Sequence, residues 1–403
     1  MAELFIAADD FTGALDTGVK LAAQGISVRV VSGFEEMENG DETVLVSNLD
    51  SRHLDRDTAF KLTYSACVRA LKLGIGTVYI KTDSGLRGNI GAALEAAARA
   101  VNGKVVFAPA YPALNRRTEN GVHMIGNVPV TQSVFGRDLL NPVTRDRTRD
   151  IIAVQSELPI LEEMDGEGCP GPHIELLELN SDEEMLFYAM THAQSAVRAY
   201  AGCAGFAAVL RTLLELRIAM KPMARIRLPV VVLSASLSEI NFEQMRAGER
   251  AGLKSCVFSD ILEAFPDMKA LAESALRSKP GALIESAKTY GEAKALSLRG
   301  ERLGLNALAR SARISFNMGL AARKLIKAGF NGMLCLFGGD TVAAALRQMD
   351  CGGLIPVCEL EPGVAVSIAR LHGKELPIVT KSGSFGSPDV IERIIKAAEE
   401  ERE

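Results

Sequence analysis

The stretch from residue 77 to residue 101 reads TVYIKTDSGLRGNIGAALEAAARAV and shows the unit from which the fold is built. It opens with a β-branched and aromatic run that is typical of a buried strand, and from Ile90 its apolar residues have helical spacing. A polar, glycine-containing loop lies between the two. The same strand–loop–helix order begins at Leu4 and recurs along the chain, which predicts mostly parallel sheets covered by helices.

Two sets of these units divide the chain. The second set follows a basic, proline-bearing stretch at 221–229, so we predict one α/β domain over 1–225 and another over 226–403, each a mostly parallel sheet flanked by helices. Residues 162–172, rich in glycine and proline, are predicted to form a surface loop. The predicted strands are 4–8, 27–31, 43–46, 77–80, 104–108, 230–233, 282–286, 332–337 and 376–380, and the predicted helices are 12–24, 56–73, 90–101, 240–251, 305–328, 341–349 and 388–400.

The composition excludes several classes of protein. Of 403 residues, 48% are apolar and 24% charged, as in ordinary globular proteins, and the net charge of −5 without a dense basic run argues against a nucleic-acid partner. The seven cysteines are scattered without a CxxC pair, which argues against a zinc site or a disulfide framework. Without a signal peptide or an apolar run of about 20 residues, the sequence predicts a cytoplasmic protein without a membrane partner.

Polar clusters follow four strands of the first domain, at 9–13, 48–52, 81–88 and 109–117. Because ligands of open α/β sheets bind beyond the carboxyl ends of the strands, these clusters are expected to line one pocket. Aspartates can accept hydrogen bonds from hydroxyls or act as a base, and arginines pair with carboxylate or phosphate groups. The pocket therefore suits a small polyhydroxylated anion, although capping of the first helix would also explain an aspartate at position 10. The candidate catalytic residues are Asp10, Lys81 and Asp83, and the candidate substrate-binding residues are Asp9, Arg52, Arg87, Arg116 and His123.

Serine- and glycine-rich loops follow three strands of the second domain. A strand–Gly-Gly–helix turn exposes backbone N–H groups at the positive end of a helix, which suits a phosphate group. The sequence contains neither a P-loop nor a GxGxxG fingerprint, nor the HRD and DFG motifs of protein kinases. The candidate nucleotide-binding residues are Ser236, Ser238, Gly338, Gly339, Asp340, Thr341, Gly383 and Gly386; no metal ligand is predicted.

Several of these motifs together resemble the four-carbon acid sugar kinase family, whose members include D-threonate, D-erythronate and 3-oxo-tetronate kinases. The resemblance covers nearly the whole chain, and Gly85 stands where threonine is common in that family. It implies a sugar-acid site in the first domain and an ATP site in the second, with the active site in the cleft between them. The motifs that carry it are ADDFTGALDTGVKLA from Ala8, DSRHL from Asp50, KTDSGLRGNIGAAL from Lys81, APAYP from Ala108, NRRTENGVH from Asn115, SASLSEINFEQ from Ser234, FGGDT from Phe337, LEPGV from Leu360 and KSGSFGSPD from Lys381.

The expected activity is ATP-dependent phosphorylation of the terminal hydroxyl of a four-carbon sugar acid, with Mg²⁺ accompanying ATP. We expect an arginine or lysine to clamp the substrate carboxylate, with Arg52, Lys81 and Arg87 as the candidates. The proton acceptor is left open among Asp9, Asp10, Asp83 and Asp340. An aldolase, isomerase or lyase acting on a sugar acid, or a catalytically silent metabolite or nucleotide sensor, are the alternatives. The candidate assembly is a homodimer.

Overall fold

The computed structural model describes residues 2–35, 37–38, 40–138, 140–162, 169–219, 226–371, 373–381 and 385–400. The chain divides into two compact units, Met1–Lys221 and Pro222–Glu403. Within the described residues, no helix combines the length and the apolar character that crossing a bilayer requires.

The N-terminal unit is built on a sheet whose eight described strands run parallel in the order β2-β3-β1-β4-β11-β5-β10-β9. A small antiparallel sheet, β6-β7-β8, is inserted after β5. The elements are β1 Leu4–Ala8, α1 Phe11–Ala23, β2 Val28–Ser32, β3 Val44–Asn48, α2 Arg56–Lys72, β4 Thr77–Lys81, α3 Ile90–Val101, β5 Lys104–Ala108, β6 Arg116–Glu119, β7 Val122–Ile125, β8 Val128–Pro129, α4 Thr148–Ala153, β9 Ile160–Glu162, β10 His173–Leu176, α5 Asp182–Thr191, β11 Ala199–Gly202, α6 Ala204–Ala207 and α7 Leu210–Leu214.

Burial of the central strands explains their apolar sequence. All five residues of β1 are buried, because helices pack against the sheet around it. Phe5 and Ala7 share one cluster with Leu94 of α3 and Cys67 of α2. Removing these side chains from water is the main driving force for folding of the unit, at roughly 25 cal/mol per Å² of apolar surface. The rigid sheet fixes where the loops at the strand ends begin.

The C-terminal unit contains a mixed sheet in the order β13-β14-β12-β15-β18-β17-β16. Five neighbouring strands, β13, β14, β12, β15 and β18, run parallel to one another. Strand β17 pairs antiparallel with both β18 and β16. The elements are β12 Val230–Ser234, α8 Glu239–Arg250, β13 Lys254–Val257, α9 Met268–Arg277, β14 Gly281–Glu285, α10 Tyr290–Arg302, α11 Ala307–Lys327, β15 Met333–Phe337, α12 Gly339–Gln348, β16 Leu354–Glu361, β17 Val364–Leu371, β18 Lys374–Lys381 and α13 Val390–Glu400.

The predicted fold class is confirmed, and each predicted strand and helix is present with its ends shifted by a few residues. The β16–β17 hairpin was not predicted, and neither were β6 to β11, β13, α4 to α7, α9 or α10. Short strands and helices carry little periodicity, so tertiary packing decides them. Part of the predicted surface loop, at 163–168, lies outside the described residues.

Helices α11 and α12 approach closely at Gly319 of α11. A Cβ atom at this position would lie 2.6 Å from the backbone oxygen of Ala344 in α12, closer than a real Cβ contact allows. Backbone cannot yield as a flexible side chain can, so the contact requires glycine. The position of α12 matters because its N-terminus carries the predicted GGDT nucleotide loop.

We therefore predict that Gly319→Ala destabilises the protein by about 1–3 kcal/mol, because overpacking outweighs the better helix propensity of alanine. Gly291→Ala is the matched control: Gly291 also lies in a helix, but its nearest neighbouring atom would be 3.8 Å from the new methyl group. Urea unfolding should show this control to be neutral or slightly stabilised. Equal stability of the two variants would contradict the packing argument.

Candidate active site

The strand register brings the predicted loops of the N-terminal unit to one edge of its sheet. Ala8 at the end of β1 pairs with Asn48 at the end of β3 and with Lys81 at the end of β4. On the other side of β4, Gly202 of β11 pairs with both Lys81 and Ala108, the last residue of β5. The loops that follow β1, β3, β4 and β5 therefore start side by side, as the sequence predicts.

Arg52 lies at the centre of this edge. Its Nε and Nη2 donate to the two carboxylate oxygens of Asp9 at 2.6 and 2.9 Å, and its Nη1 donates to Asp10 Oδ2 at 2.6 Å. Asp83 Oδ1 lies 3.7 Å from Nη2. Only 9% of Arg52 is exposed, so these charge-assisted hydrogen bonds act with little screening by solvent. One guanidinium thus organises three aspartates from two different loops.

Asp83 is committed to holding its own loop. Its Oδ2 accepts hydrogen bonds from the backbone N–H groups of Gly85 and Arg87 and from Arg87 Nε, and its Oδ1 accepts from Arg87 Nη2. Arg87 also donates through Nη1 to Asp138 Oδ2 at 2.8 Å. Asp83 thus accepts four hydrogen bonds from its own loop, so its carboxylate holds this loop in shape.

The pKa shifts separate the roles of the aspartates. Burial raises the pKa of Asp9 despite the opposing attraction of Arg52, and the negative charge of Asp10 raises it further. Burial also acts to raise the pKa of Asp83, but Arg52 and the hydrogen-bonded Arg87 outweigh it and leave this pKa below its usual value. Because a carboxylate with a low pKa is a weak base, these shifts make Asp9 a better proton acceptor than Asp83.

Lys81 and Asp10 converge above the first turn of α1. Asp10 caps this helix by accepting from Gly13 N at 2.7 Å, so the capping interpretation is confirmed. A methyl group at Gly13 would lie 2.7 Å from Asp10 Oδ1 and 2.8 Å from Lys81 Nζ, so glycine leaves room for both groups. Lys81 Nζ also donates to Thr82 O at 2.9 Å. The ammonium is therefore placed to stabilise negative charge beside the aspartate pair.

Arg116 and His123 reach the same edge from the β6–β7 sheet. Arg116 Nη1 donates to Ser84 Oγ. His123 is fully buried; its Nε2 lies 3.0 Å from Ser84 O and its Nδ1 lies 3.2 Å from Thr118 Oγ1. Since a carbonyl oxygen only accepts, Nε2 carries the proton and Nδ1 accepts from the threonine hydroxyl. Both ring nitrogens are occupied by the protein, so His123 supports the 81–88 loop and is not open to a substrate.

In the C-terminal unit, strand register aligns three predicted loops in the same way. Phe337 at the end of β15 pairs with Ser234 of β12 and with Lys381 of β18. After β12, Ser238 caps α8 through Asn241 N, and its Oγ lies 3.1 Å from Ser236 Oγ. The two predicted serines thus lie together at the helix N-terminus.

The GGDT turn forms the middle loop. Gly338 has a φ of 102°, which side chains other than glycine rarely adopt, and its N–H donates to Lys381 O at 2.8 Å. Helix α12 begins at Gly339, and its N-cap residue Gly338 has no side chain with which to bond the first N–H groups of the helix. Asp340 is exposed in the first turn, whereas Thr341 is buried. An uncapped helix N-terminus in this position suits phosphate oxygens.

The third loop is anchored by residues that the sequence reasoning did not select. Gln244 of α8 is fully buried, and its Nε2 donates to the backbone oxygens of Phe385, Gly386 and Ser387 at 3.0 to 3.1 Å. Glu361 accepts from Ser387 N at 2.8 Å. A buried glutamine has no sequence signal of its own, so only packing reveals it. The predicted Gly383 lies outside the described residues.

Lys381 is a further residue that was not selected. It is almost completely buried at the end of β18, and its Nζ lies 4.8 Å from the centre of the Phe337 ring. Burial lowers its pKa to about 8, although Glu361 opposes the shift. Its position directly after an apolar strand was the available signal.

Comparison with known proteins agrees with this division of chemistry. The model of a sugar-binding N-terminal domain matches residues 4–167, and the model of a nucleotide-binding C-terminal domain matches residues 231–391. Two solved proteins share the fold. One, from Haemophilus influenzae, has a TM-score of 0.78 at 18% identity, over 98% of this chain and 99% of its own. The other, from Salmonella typhimurium LT2, has a TM-score of 0.80 at 21% identity, over 98% of each chain. These identities establish likeness of fold alone.

The curated relatives are kinases of one kind. The chain is 27% identical to D-threonate kinase of Salmonella typhimurium over 96% of each chain. It is 24% identical to D-erythronate kinase of Heliobacterium modesticaldum, over 96% of this chain and 95% of the relative. It is also 24% identical to 3-oxo-tetronate kinase of Brucella melitensis, over 95% of this chain and 93% of the relative.

The chain joins a sugar-binding domain to a nucleotide-binding domain, and its relatives are kinases, which places it in a class of phosphotransferases. The chain belongs to the four-carbon acid sugar kinase family, as its motifs indicated.

The buried His123 predicts a pH dependence of stability. Burial lowers its pKa to about 4, whereas the ordinary value is 6.5. The unfolded chain therefore binds the proton more tightly, so this stability is present above about pH 6.5 and is lost as pH falls towards 4, by up to about 3 kcal/mol. Unfolding of His123→Gln should depend less steeply on pH in this range than unfolding of the unmodified protein. The exposed His192 provides the control, since His192→Gln should keep the original slope.

Proposed function

We propose that this protein is an ATP-dependent kinase that phosphorylates the terminal hydroxyl of a four-carbon sugar acid of the D-threonate, D-erythronate or 3-oxo-tetronate type. The observation that carries the proposal is the division of chemistry between the units. The N-terminal unit gathers carboxylates and cations suited to a hydroxy acid, and the C-terminal unit gathers backbone N–H groups and a lysine suited to phosphates. Transfer requires the two sites to meet during turnover, in the cleft that the family resemblance implies.

We propose that Asp10 accepts the proton of the attacking hydroxyl. Arg52, which also binds Asp9, would hold the Asp10 carboxylate in place. Asp10 is the more exposed carboxylate of the pair, with 28% of its side chain accessible against 15% for Asp9. Lys81 would stabilise the negative charge that develops on the transferred group. Asp83 would shape the loop through Arg87.

For the nucleotide, we propose that the α12 N-terminus, the Ser236–Ser238 loop and Lys381 receive the phosphates of ATP. Among the described residues, no three His, Cys, Asp or Glu side chains are arranged to hold a metal ion. Asp9 and Asp10 already accept from Arg52, so Mg²⁺ is proposed to bind with the ATP phosphates, whose charge it neutralises. The homodimer and the cytoplasmic location remain predictions from the sequence.

The test of the activity is a coupled assay of ADP release over D-threonate, D-erythronate, L-threonate and their 3-oxo forms. ADP release that depends on one of these acids is the expected result. Conversion of an acid without ATP would indicate an aldolase, isomerase or lyase instead. Ligand binding without any ADP release would indicate a sensor.

The proton acceptor is tested by Asp10→Asn. Asparagine also caps helices well, so the fold should survive, but a neutral amide cannot take the proton. We expect kcat to fall by about 100-fold or more while the affinity for ATP changes little. The matched control is Asp55→Asn, which makes the same substitution at the exposed N-cap of α2 and should leave kcat unchanged. Near-normal turnover of Asp10→Asn would remove Asp10 from the chemistry.

We expect replacement of Lys381 to weaken ATP binding and to raise folding stability. Its pKa of about 8 lies below the ordinary 10.5, so carrying the charge at pH 7 costs folding stability, and this cost fades as pH rises from about 8 to 10.5. At pH 7, Lys381→Met should melt a few degrees higher but bind ATP at least about tenfold more weakly. In the unmodified protein, ATP affinity should decline above pH 8. Lys374→Met, at the exposed opposite end of β18, is the control expected to change neither property. Unchanged ATP affinity in Lys381→Met would exclude the phosphate role.

A further inference from the structure

The arginines of the N-terminal site differ in how their charge is balanced. Arg52 pairs with Asp9 and Asp10 at 2.6 Å. Arg87 pairs with Asp83 at 2.9 Å and with Asp138 at 2.8 Å. Both guanidinium groups are thus neutralised by carboxylates of the protein. Neither is free to clamp the carboxylate of a substrate without breaking a contact that holds the site together.

Arg116 is different. No described carboxylate lies within 4.0 Å of its guanidinium, and the side-chain partner recorded for it is the neutral hydroxyl of Ser84. Its Nε is buried and has no hydrogen-bond partner. A buried guanidinium nitrogen without an acceptor costs folding free energy, which an anionic ligand would recover. Arg116 therefore lacks a carboxylate within ion-pair distance among the described residues, although Asp83 attracts it from farther away, and its Nε donor has no acceptor.

The ring of Phe135 holds this guanidinium in place. Its centre lies 4.9 Å from Arg116 Cζ and 5.0 Å from Arg87 Cζ, so one aromatic ring contacts both cations. The ring packs with Val130 and Val143, and the backbone N–H of Phe135 donates to Ser133 Oγ at 3.1 Å, so the residue is fixed in place. A rigid ring reduces the number of positions that the Arg116 side chain can adopt.

Gly85 makes this arrangement possible. A Cβ atom at position 85 would lie 2.5 to 2.7 Å from three atoms of the Phe135 ring, so any other residue would displace the ring. The glycine in KTDSGLRG, which the sequence alone explains as a turn, is thus also required for the contact with the aromatic ring. Glycine, ring and guanidinium form one packed unit.

We propose that Arg116 binds the carboxylate of the substrate and that Phe135, seated on Gly85, is the positioning residue that holds its guanidinium for this purpose. The inference rests on the proposed sugar-acid kinase function and assigns its acid recognition to a residue other than Arg52, Lys81 or Arg87. It defines the substrate class as a small hydroxy acid whose carboxylate lies at Arg116 while a hydroxyl lies at the Asp9–Asp10 pair.

The experiment compares the full-length protein with Arg116→Gln, Arg116→Lys and Phe135→Leu in the ADP-release assay. The substrates are the best tetronate and the matching tetritol, which carries a neutral hydroxymethyl group in place of the carboxylate. Arg116→Gln should raise the KM for the acid by about 100-fold, leave the KM for ATP within about twofold and abolish the preference for acid over tetritol. Arg116→Lys should recover part of the preference, because it restores the charge without the fork.

Phe135→Leu should raise the KM for the acid by about tenfold and change kcat by less than about threefold. A residue needed only for folding would instead lower the active fraction, and so kcat, without a selective effect on the acid. Arg137→Gln, an exposed arginine of the same segment, and Phe187→Leu, an exposed phenylalanine, are the controls expected to match the unmodified protein.

An unchanged KM for the acid in Arg116→Gln would overturn the inference while leaving the kinase function intact. An equal rise of the KM values for the acid and for ATP would have the same meaning.

If the unmodified protein phosphorylates none of the acids, calorimetric binding of D-erythronate and D-threonate tests the inference instead. Binding that Arg116→Gln loses would support the Arg116 assignment without the kinase function. Absence of binding to the unmodified protein would overturn both.

Discussion

The buried guanidinium of Arg52 is the contact on which the N-terminal site depends. It binds Asp9 and Asp10 directly and lies near Asp83, so it ties the loop after β3 to the loops after β1 and β4. Without this cation, three carboxylates would lie close together with little water to screen their repulsion. The same contact that stabilises the loops also sets the proton affinities of the aspartates, since it lowers the pKa of Asp83 and opposes the rise at Asp9.

The phosphate site that we propose in the C-terminal unit relies mainly on backbone groups. Register between β12, β15 and β18 sets three loops side by side, and Gly338 turns the chain so that α12 starts uncapped at this edge. Backbone N–H groups held by a helix need no reorganisation when an anion arrives. Buried hydrogen bonds from Gln244 to three consecutive carbonyl groups hold the loop after β18 in place.

The arginines of the N-terminal site show how charged groups divide between structure and recognition. Arg52 and Arg87 are used internally, because their partners are carboxylates of the protein. Arg116 is held by an aromatic ring, which attracts a cation without neutralising its charge. A cation held in this way suits the proposed binding of an anionic ligand, and this physical difference separates Arg116 from the other two arginines although all three share one residue type.

The sequence by itself determined the fold class, most long elements and the loops that bear the chemistry, because strand and helix periodicity and strand-end polar clusters are local signals. It could not rank the residues within a loop. Asp83 and Arg87 stood in the most specific motif, yet they hold that motif's loop, and His123 is buried with both nitrogens occupied. Phe135 carried no signal, and Gln244 stood in a family motif that did not reveal its role, because both roles arise from contacts with residues about 50 and 140 positions away in the chain. Only the tertiary structure decided which charges are already neutralised, since the partner of a side chain is set by three-dimensional packing and not by its neighbours in sequence.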